Sequence, residues 1–536
     1  MATQRLTFYL LDKEVKSFKD AVDEEKIEDA SKMDLHQEIN GVFYYKTSKE
    51  KIPRWVHFVE LLTTERLGGV KTASASGLLL IKADRRYFAI TFGYGRSLLD
   101  LSKIEYQFGL RVALNSIDHK RMRTLDTKIY DNMIISTKVQ SSRNTELETF
   151  GINAATDILG SVTGQPKDSS FAKKLTGSDS LVLTMDHEID NLPSFCTNLL
   201  EIYKRDSYRE NFSWIDQLSI VKKLSEVDEL NTCLLEQLKS KDISRTHLSF
   251  PDAVNWEDID DFKIGGTKNK IYDELDIKEY LDSLDDTEEL TIEKLKRYSV
   301  SVRFARNQKF DKRWNLFSCI VSEQRLNNTL YALIDGRWFR IDEDLVGQID
   351  TYLYQRPKPT VNLIAAHKGE KEKDYNNRAA QACGEYMLNL DRQNIIPNNA
   401  RSAIEFCDLL CKDGNIIHVK RETKSSTLSH LFAQGYVSAA TFFKDGLFRD
   451  RLRTKISEIA SEDTREEWLS IIPASGQTVH RDRYTINYAI VTKNMTNGID
   501  WLPFFSKLNL MQHCGNLEAM GVNASFIRVP IESIEI

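Results

Sequence analysis

The chain has 536 residues, 41% of them hydrophobic and 28% charged, with a formal net charge of -6. That length exceeds one ordinary core, so two or three domains are expected, and the negative balance excludes a dedicated nucleic-acid coat: any phosphate contact must use local basic surface. No apolar run approaches a membrane span, Met1 to Asp20 carries charge in place of a signal peptide's apolar centre, and the seven cysteines are scattered, so a cytoplasmic protein with reduced thiols is expected.

The first region reads as strand-rich. Leu6 to Leu10, Val42 to Tyr45 and Trp55 to Leu62 are short β candidates, and Gly77 to Lys82 with Tyr87 to Phe92 forms a hairpin about Ala83 to Arg86. Gly93-Tyr94-Gly95-Arg96 then feeds a helical start at Ser97, a place where a phosphate can be held or where the chain simply turns tightly. The basic run at Lys120, Arg121 and Arg123 offers a track for a phosphate backbone or a solvated face. Apolar spacing predicts helices over Leu192 to Tyr203 and Trp214 to Leu238.

Between Asp252 and Glu289 there are fourteen acids against four lysines and no arginine, which reads as a solvated connector or a mimic of nucleic-acid charge. Strands are expected at Trp314 to Val321, Thr329 to Ile334 and Arg337 to Ile341, with Asp335-Gly336 as a two-residue turn. Arg356-Pro357-Lys358-Pro359 breaks the pattern and marks a boundary. Three regions follow: 1–250, a sensing or regulatory α+β domain; 251–356, the acidic connector and hairpins; and 357–536.

The last region reads as helix (Tyr375 to Leu390), strand (Ile404 to Leu410), strand (Ile416 to Arg421), helix (Thr427 to Phe443), strand (Tyr484 to Thr492), helix (Ser506 to Met520) and strand (Ala524 to Val529). Its first two strands form a hairpin about Lys412 to Asn415. Period two puts His418 and Lys420 on one face of the second strand, while Asp408 sits near the turn and Glu405 falls on the opposite face unless a bulge shifts it. Carboxylates that hold Mg²⁺ beside a lysine can hydrolyse phosphodiesters, the ion activating water and the lysine neutralising charge. Asp408 and Lys420 supply two of those parts. An imidazole at His418 would shift preference toward softer metals, so a further acid is required, with Glu385, Glu405 and Glu422 in reach. His430 and Gln434 lie one turn apart on the following helix. Arg449, Arg451, Arg453 and Lys455 provide a second basic surface.

An acid-lysine hairpin followed by a helix resembles the centre of restriction-endonuclease-type nucleases. The wording Ile404 to Leu410, Ile417 to Arg421 and Ser425 to Gly435, together with Phe92 to Arg96, Phe108 to Asn115 and Leu502 to Lys507, is similar to a sporadically distributed family of bacterial proteins from mobile elements and defence neighbourhoods. That resemblance implies a role in antiviral defence and a restriction-endonuclease-like C-terminal part. The fold expected is therefore α+β and multidomain, with a C-terminal mixed sheet flanked by helices behind a strand-rich N-terminal region. Three functions stand, the last being a structural connector within a larger complex. One is a Mg²⁺- or Mn²⁺-dependent nuclease acting on foreign DNA or RNA, with Asp408 and Glu385 as metal ligands, Lys420 as electrostatic catalyst, and His418 and Gln434 in support. Another is a pseudo-nuclease that binds nucleic acid or a phage protein without hydrolysis; in either case a phage protein or a second defence component is a candidate partner and a homo-oligomer a candidate state.

Overall fold

The computed structural model describes residues 4–532 apart from 37, 130–134, 147–149, 151–157, 186–190, 252–253, 255–258, 269, 305–309, 399, 401 and 422–425. The chain forms two compact units, Met1–Lys128 with Ser136–Ile215 and Ile129–Ile135 with Asp216–Ile536. This division replaces the expected three regions.

In the first unit ten strands make one sheet, in the order Ser31–Asp34, Gly41–Thr47, Ala75–Ala83, Arg86–Gly93, Gln4–Leu10, Leu181–Met185, Lys174–Gly177, Ile158–Pro166, Ile117–Ile129 and Ile135–Thr145. Its central strands are buried on both faces. Phe8, Leu10, Phe88 and Ile90 enter one core, which the helices Phe108–Ser116 and Leu192–Tyr203 help to fill, while Tyr9, Leu11, Leu78, Leu80 and Ala89 enter another. Alternate residues thus serve opposite cores.

One expectation in this unit is corrected, and the glycine turn takes its tight-turn form. Trp55 to Leu62 holds a helix, Arg54–Glu60, that starts at Pro53, a residue suited to a helix start; Val56 is buried, while Trp55 and Phe58 are exposed. At Gly95 a Cβ would lie 1.8 Å from Gly77 O, so the turn at Gly93 to Arg96 is a close backbone approach needing glycine.

The second unit opens with a five-stranded antiparallel sheet, Leu218–Ile220, Arg337–Ile341, Thr329–Ile334, Ile320–Leu326 and Thr246–Leu248. Asp335 and Gly336 take φ of 50° and 75°, the left-handed pair a two-residue hairpin needs. The helix expected over Trp214 to Leu238 divides into a 3-10 turn, strand Leu218–Ile220 and helix Leu224–Lys239. Trp314 to Val321 likewise changes conformation, through a short helix at Leu316–Cys319. The acidic segment is no solvated connector. Its described residues include strand Ile259–Ile264 and helix Ile277–Asp282, and Phe262, Ile264, Tyr272, Ile277, Tyr280 and Leu281 join the core around Val300, Leu333 and Trp338. Among its described acids, Asp261 is buried and pairs with Arg303, while the rest are exposed or half-buried.

The C-terminal part contains β1 (Ala366–His367), α1 (Glu372–Cys383), β2 (Met387–Asn389), β3 (Leu409–Cys411), β4 (Asn415–Arg421), α2 (Ser426–Lys444), α3 (Gly446–Ile459), β5 (Thr485–Thr492), α4 (Phe504–Ala519) and β6 (Asn523–Glu532). The sheet order is β1-β6-β5-β4-β3-β2; β2, β3 and β4 pair antiparallel, while β4, β5, β6 and β1 run parallel. Tyr375 and Ala379 of α1 pack on Ile417, Val419, Ala489 and Val491. On the opposite face Phe432 of α2 meets Tyr488 edge to face at 5.2 Å.

Bonds cross the expected boundary at Pro357. The Glu323 carboxylate, 3% exposed, accepts from Phe504 N (2.7 Å) and Phe505 N (2.8 Å) at the start of α4. Lys507 pairs with Asp350 at 2.8 Å, and Arg356 pairs with Glu518. Residues 216–356 therefore brace the C-terminal sheet.

Candidate functional site

Asp408 lies where the hairpin opens. Its N–H donates to Ile417 O (3.0 Å) and its carbonyl accepts from Leu390 N (2.8 Å), pinning it between β4 and the turn after β2. Oδ2 accepts from Val419 N at 2.7 Å, and Oδ1 from Asn376 Nδ2 of α1 at 3.3 Å. Burial pushes this carboxyl up to about 8 despite the Val419 N–H, and the charges of Glu405, Asp391 and Glu372 add to the rise.

A continuous strand would place Glu405 and Asp408 on opposite faces. The chain avoids this by breaking the expected strand. Ile404–Glu405 pairs with Asn394–Ile395 in a separate ribbon, and only from Leu409 does the chain join the main sheet. Between them Phe406 packs on Phe442 at 5.0 Å and Phe448 at 6.5 Å, which anchors the bend. The bend brings Glu405 to Asp408, and Asp391, in the turn after β2, joins them: one carboxylate oxygen from each lies within 4.8 Å of the others. Gln434 Nε2 donates to Glu405 Oε2 at 3.0 Å, and Arg392 N donates to Oε1. Burial nevertheless raises the Glu405 carboxyl; Arg392 N opposes this, Asp391 reinforces it, and Gln434 and Lys420 oppose it.

Lys420 stands beside this group, with Nζ 3.1 Å from Oε2 of Glu372, the first residue of α1. The other Glu372 oxygen accepts from Arg421 N at 3.3 Å. Asp408, Glu405, Gln434 and Lys420 are thus gathered, and Asp391 and Glu372 complete the set. Sequence reasoning missed the last two because their elements were misdrawn: the expected helix through Leu390 gives way to β2 and a turn, which alone places Asp391 beside the hairpin.

Several expected residues stand elsewhere. His418 is fully buried under α2, with Nε2 3.2 Å from Ser438 Oγ, and desolvation takes its pKa down to about 4. Glu385 is exposed in the 3-10 turn after α1 and is absent from the carboxylate group; the next residue, Tyr386, accepts from Lys412 N at the closed end of the hairpin. Arg449 is 5% exposed and donates to Pro473 O and Phe442 O, and Arg453 donates to Leu469 O and Ile472 O, so these two hold backbone in place of presenting a basic face. Arg451 bonds Ile396 O and Lys455 pairs with Glu458. Lys120, Arg121 and Arg123 lie in strand Ile117–Ile129 of the first unit, near Glu146, Asp118 and Ser142 O. Exposed His430 lines an open pocket of about 440 Å³ with Asn394, Glu405 and Gln434. Glu422 falls outside the described residues.

The fold and this site define an α+β protein with a partly buried carboxylate group and a lysine at the open end of a hairpin. The chain belongs to the family of unknown function DUF6119, whose sequence profile matches residues 6–530. No curated protein and no solved structure matches the chain. Among the described residues no helix is long and apolar enough to cross a membrane.

Proposed function

We propose that the chain is a metal-dependent nuclease of restriction-endonuclease type, acting on foreign DNA or RNA in antiviral defence. The observation that carries this reading is the convergence of Asp391, Glu405 and Asp408 beside Lys420. An all-oxygen donor set suits a hard cation such as Mg²⁺ or Mn²⁺; burial raises the Asp408 and Glu405 carboxyls and the neighbouring acids add to the rise, both of which a bound cation would offset. When bound, the ion would polarise a phosphate and acidify a water. Gln434 fixes the Glu405 carboxylate, Glu372 orients Lys420, and the Lys420 ammonium is placed to neutralise charge developing on phosphate.

Labelled single- and double-stranded DNA and RNA, incubated with Mg²⁺, Mn²⁺ or chelator, test the proposal. Cleavage is expected only with metal, and Asp408→Asn and Lys420→Met should each remove it, with losses that do not add. A second reading, the binding-only pseudo-nuclease, draws on the engagement of Lys420 by Glu372. Intact binding with no metal-dependent cleavage by the wild type would leave that reading in place.

A further inference from the structure

A second cavity of the same unit, about 770 Å³, is lined by Lys241, Arg245, Lys278, Lys368, Arg421 and Lys493. Among the described lining residues the one acid, Asp242, has its carboxylate turned to Ser244, whose hydroxyl donates at 2.8 Å. Arg245 donates to Asp500 O (3.1 Å) and Arg421 to His367 O (3.0 Å), so carbonyl groups fix both guanidiniums. Lys241 is balanced by Asp282 at 2.8 Å. Lys368 and Lys493 are exposed and form no ion pair among the described residues.

The position matters as much as the charge. Arg421, Thr492 and Ile531 stand at or near the carboxyl ends of the parallel strands β4, β5 and β6, the side of an α/β sheet where crevices take ligands. Arg421 also follows Lys420 directly, and Glu372 touches both. Val419, whose N–H holds Asp408, lies two residues back, about 7 Å along a strand. At roughly 3.4 Å of rise per nucleotide, that is about two nucleotides of a strand.

We propose that this cleft binds the phosphodiester backbone of a nucleic-acid strand and leads it to the carboxylate group. Its direction toward that group rests on the nuclease reading; the binding does not. The cleft is built jointly by Lys241 to Arg245 with Lys278 and by the C-terminal sheet, which gives the bracing of the two parts a use.

The test is fluorescence anisotropy of the full chain with fluorescein-labelled 20-mers, single-stranded and duplex, in chelator so that no cleavage intervenes. In Lys278→Gln/Lys368→Gln/Lys493→Gln, all three exposed positions, affinity at low salt should fall about tenfold or more, and the slope of log K against log salt should drop by about 2 for a single strand. Unchanged affinity and slope, in a variant whose thermal unfolding matches the wild type, would overturn the proposal. So would displacement of the 20-mer by ATP at equal phosphate concentration, which would make the occupant a free nucleotide. Cleft binding without cleavage by the wild type would sink the nuclease and keep the cleft; cleavage with an unchanged KM in the triple variant would do the reverse.

Discussion

Two sets of charged side chains in the C-terminal part are built in opposite ways. Arg449 is buried among partners that answer its charge: Phe442 O at 2.8 Å and Pro473 O at 3.0 Å tie α3 to its surroundings. Asp391, Glu405 and Asp408 bring like charges together; Arg392 N and Gln434 bond Glu405, while burial, with the neighbouring acids adding to it, leaves the Asp408 carboxyl at about 8 despite the Val419 N–H. A buried charge that the fold satisfies is structural; one that the fold leaves crowded is poised for a ligand. Sequence alone does not separate them, since an arginine-rich helix and an acid-bearing hairpin both read as functional.

The largest effect expected from this contrast is at His418. Glu in its place would be an unpaired buried charge facing Ser438, so His418→Glu should destabilise by about 3–5 kcal/mol in urea denaturation and gain no cleavage. A stable, more active variant would return the centre to His418. Next, Arg449→Ala strips one buried and one half-buried carbonyl of their donor and should cost about 2–4 kcal/mol, while nucleic-acid affinity per folded molecule stays the same. Lost affinity with stability intact would make α3 a binding surface after all.

Asp408 gives a smaller effect with a definite sign. Its carboxyl keeps a proton in the folded state up to about 8, whereas the unfolded chain releases it near 4. The folded state therefore holds more protons across that window, so this residue's contribution makes stability fall as pH rises from about 4 to about 8. In chelator, Asp408→Asn should be the more stable protein at pH 8 by about 1 kcal/mol or more and should lose that part of the pH slope. Equal slopes would mean that the carboxylates are already balanced. Smallest of all, Glu385→Gln should stay within about 0.5 kcal/mol of the wild type and leave cation binding untouched, because its side chain is exposed outside the group.

Much of the C-terminal sheet was legible in the sequence. Strands at Ile416 to Arg421, Tyr484 to Thr492 and Ala524 to Val529, and the helix after Thr427, have the length and apolar pattern of buried parallel elements, and they form within a few residues of expectation. The site was half legible. Asp408, Lys420 and Gln434 follow from alternation and helix spacing, but Glu405 depends on a bend at Phe406 and Cys407 that no period announces, whose ring contacts come from residues more than thirty positions away, and Asp391 on the turn after β2 that replaces the end of the expected helix. The role of Asp252 to Glu289 was hidden for a similar reason: its apolar residues are few and become a core only when strands from 299–341 close over them.

The central claim is that Asp391, Glu405 and Asp408 form a divalent-cation site. Titrating the full chain with Mn²⁺ at pH 8 and following the electron paramagnetic resonance signal of the free ion tests it most directly. The wild type should remove Mn²⁺ from solution, more strongly at pH 8 than at pH 6 as Asp408 gives up its proton, and Asp408→Asn and Glu405→Gln should each abolish that uptake. Uptake that is absent in the wild type, or unchanged in both variants, would contradict it.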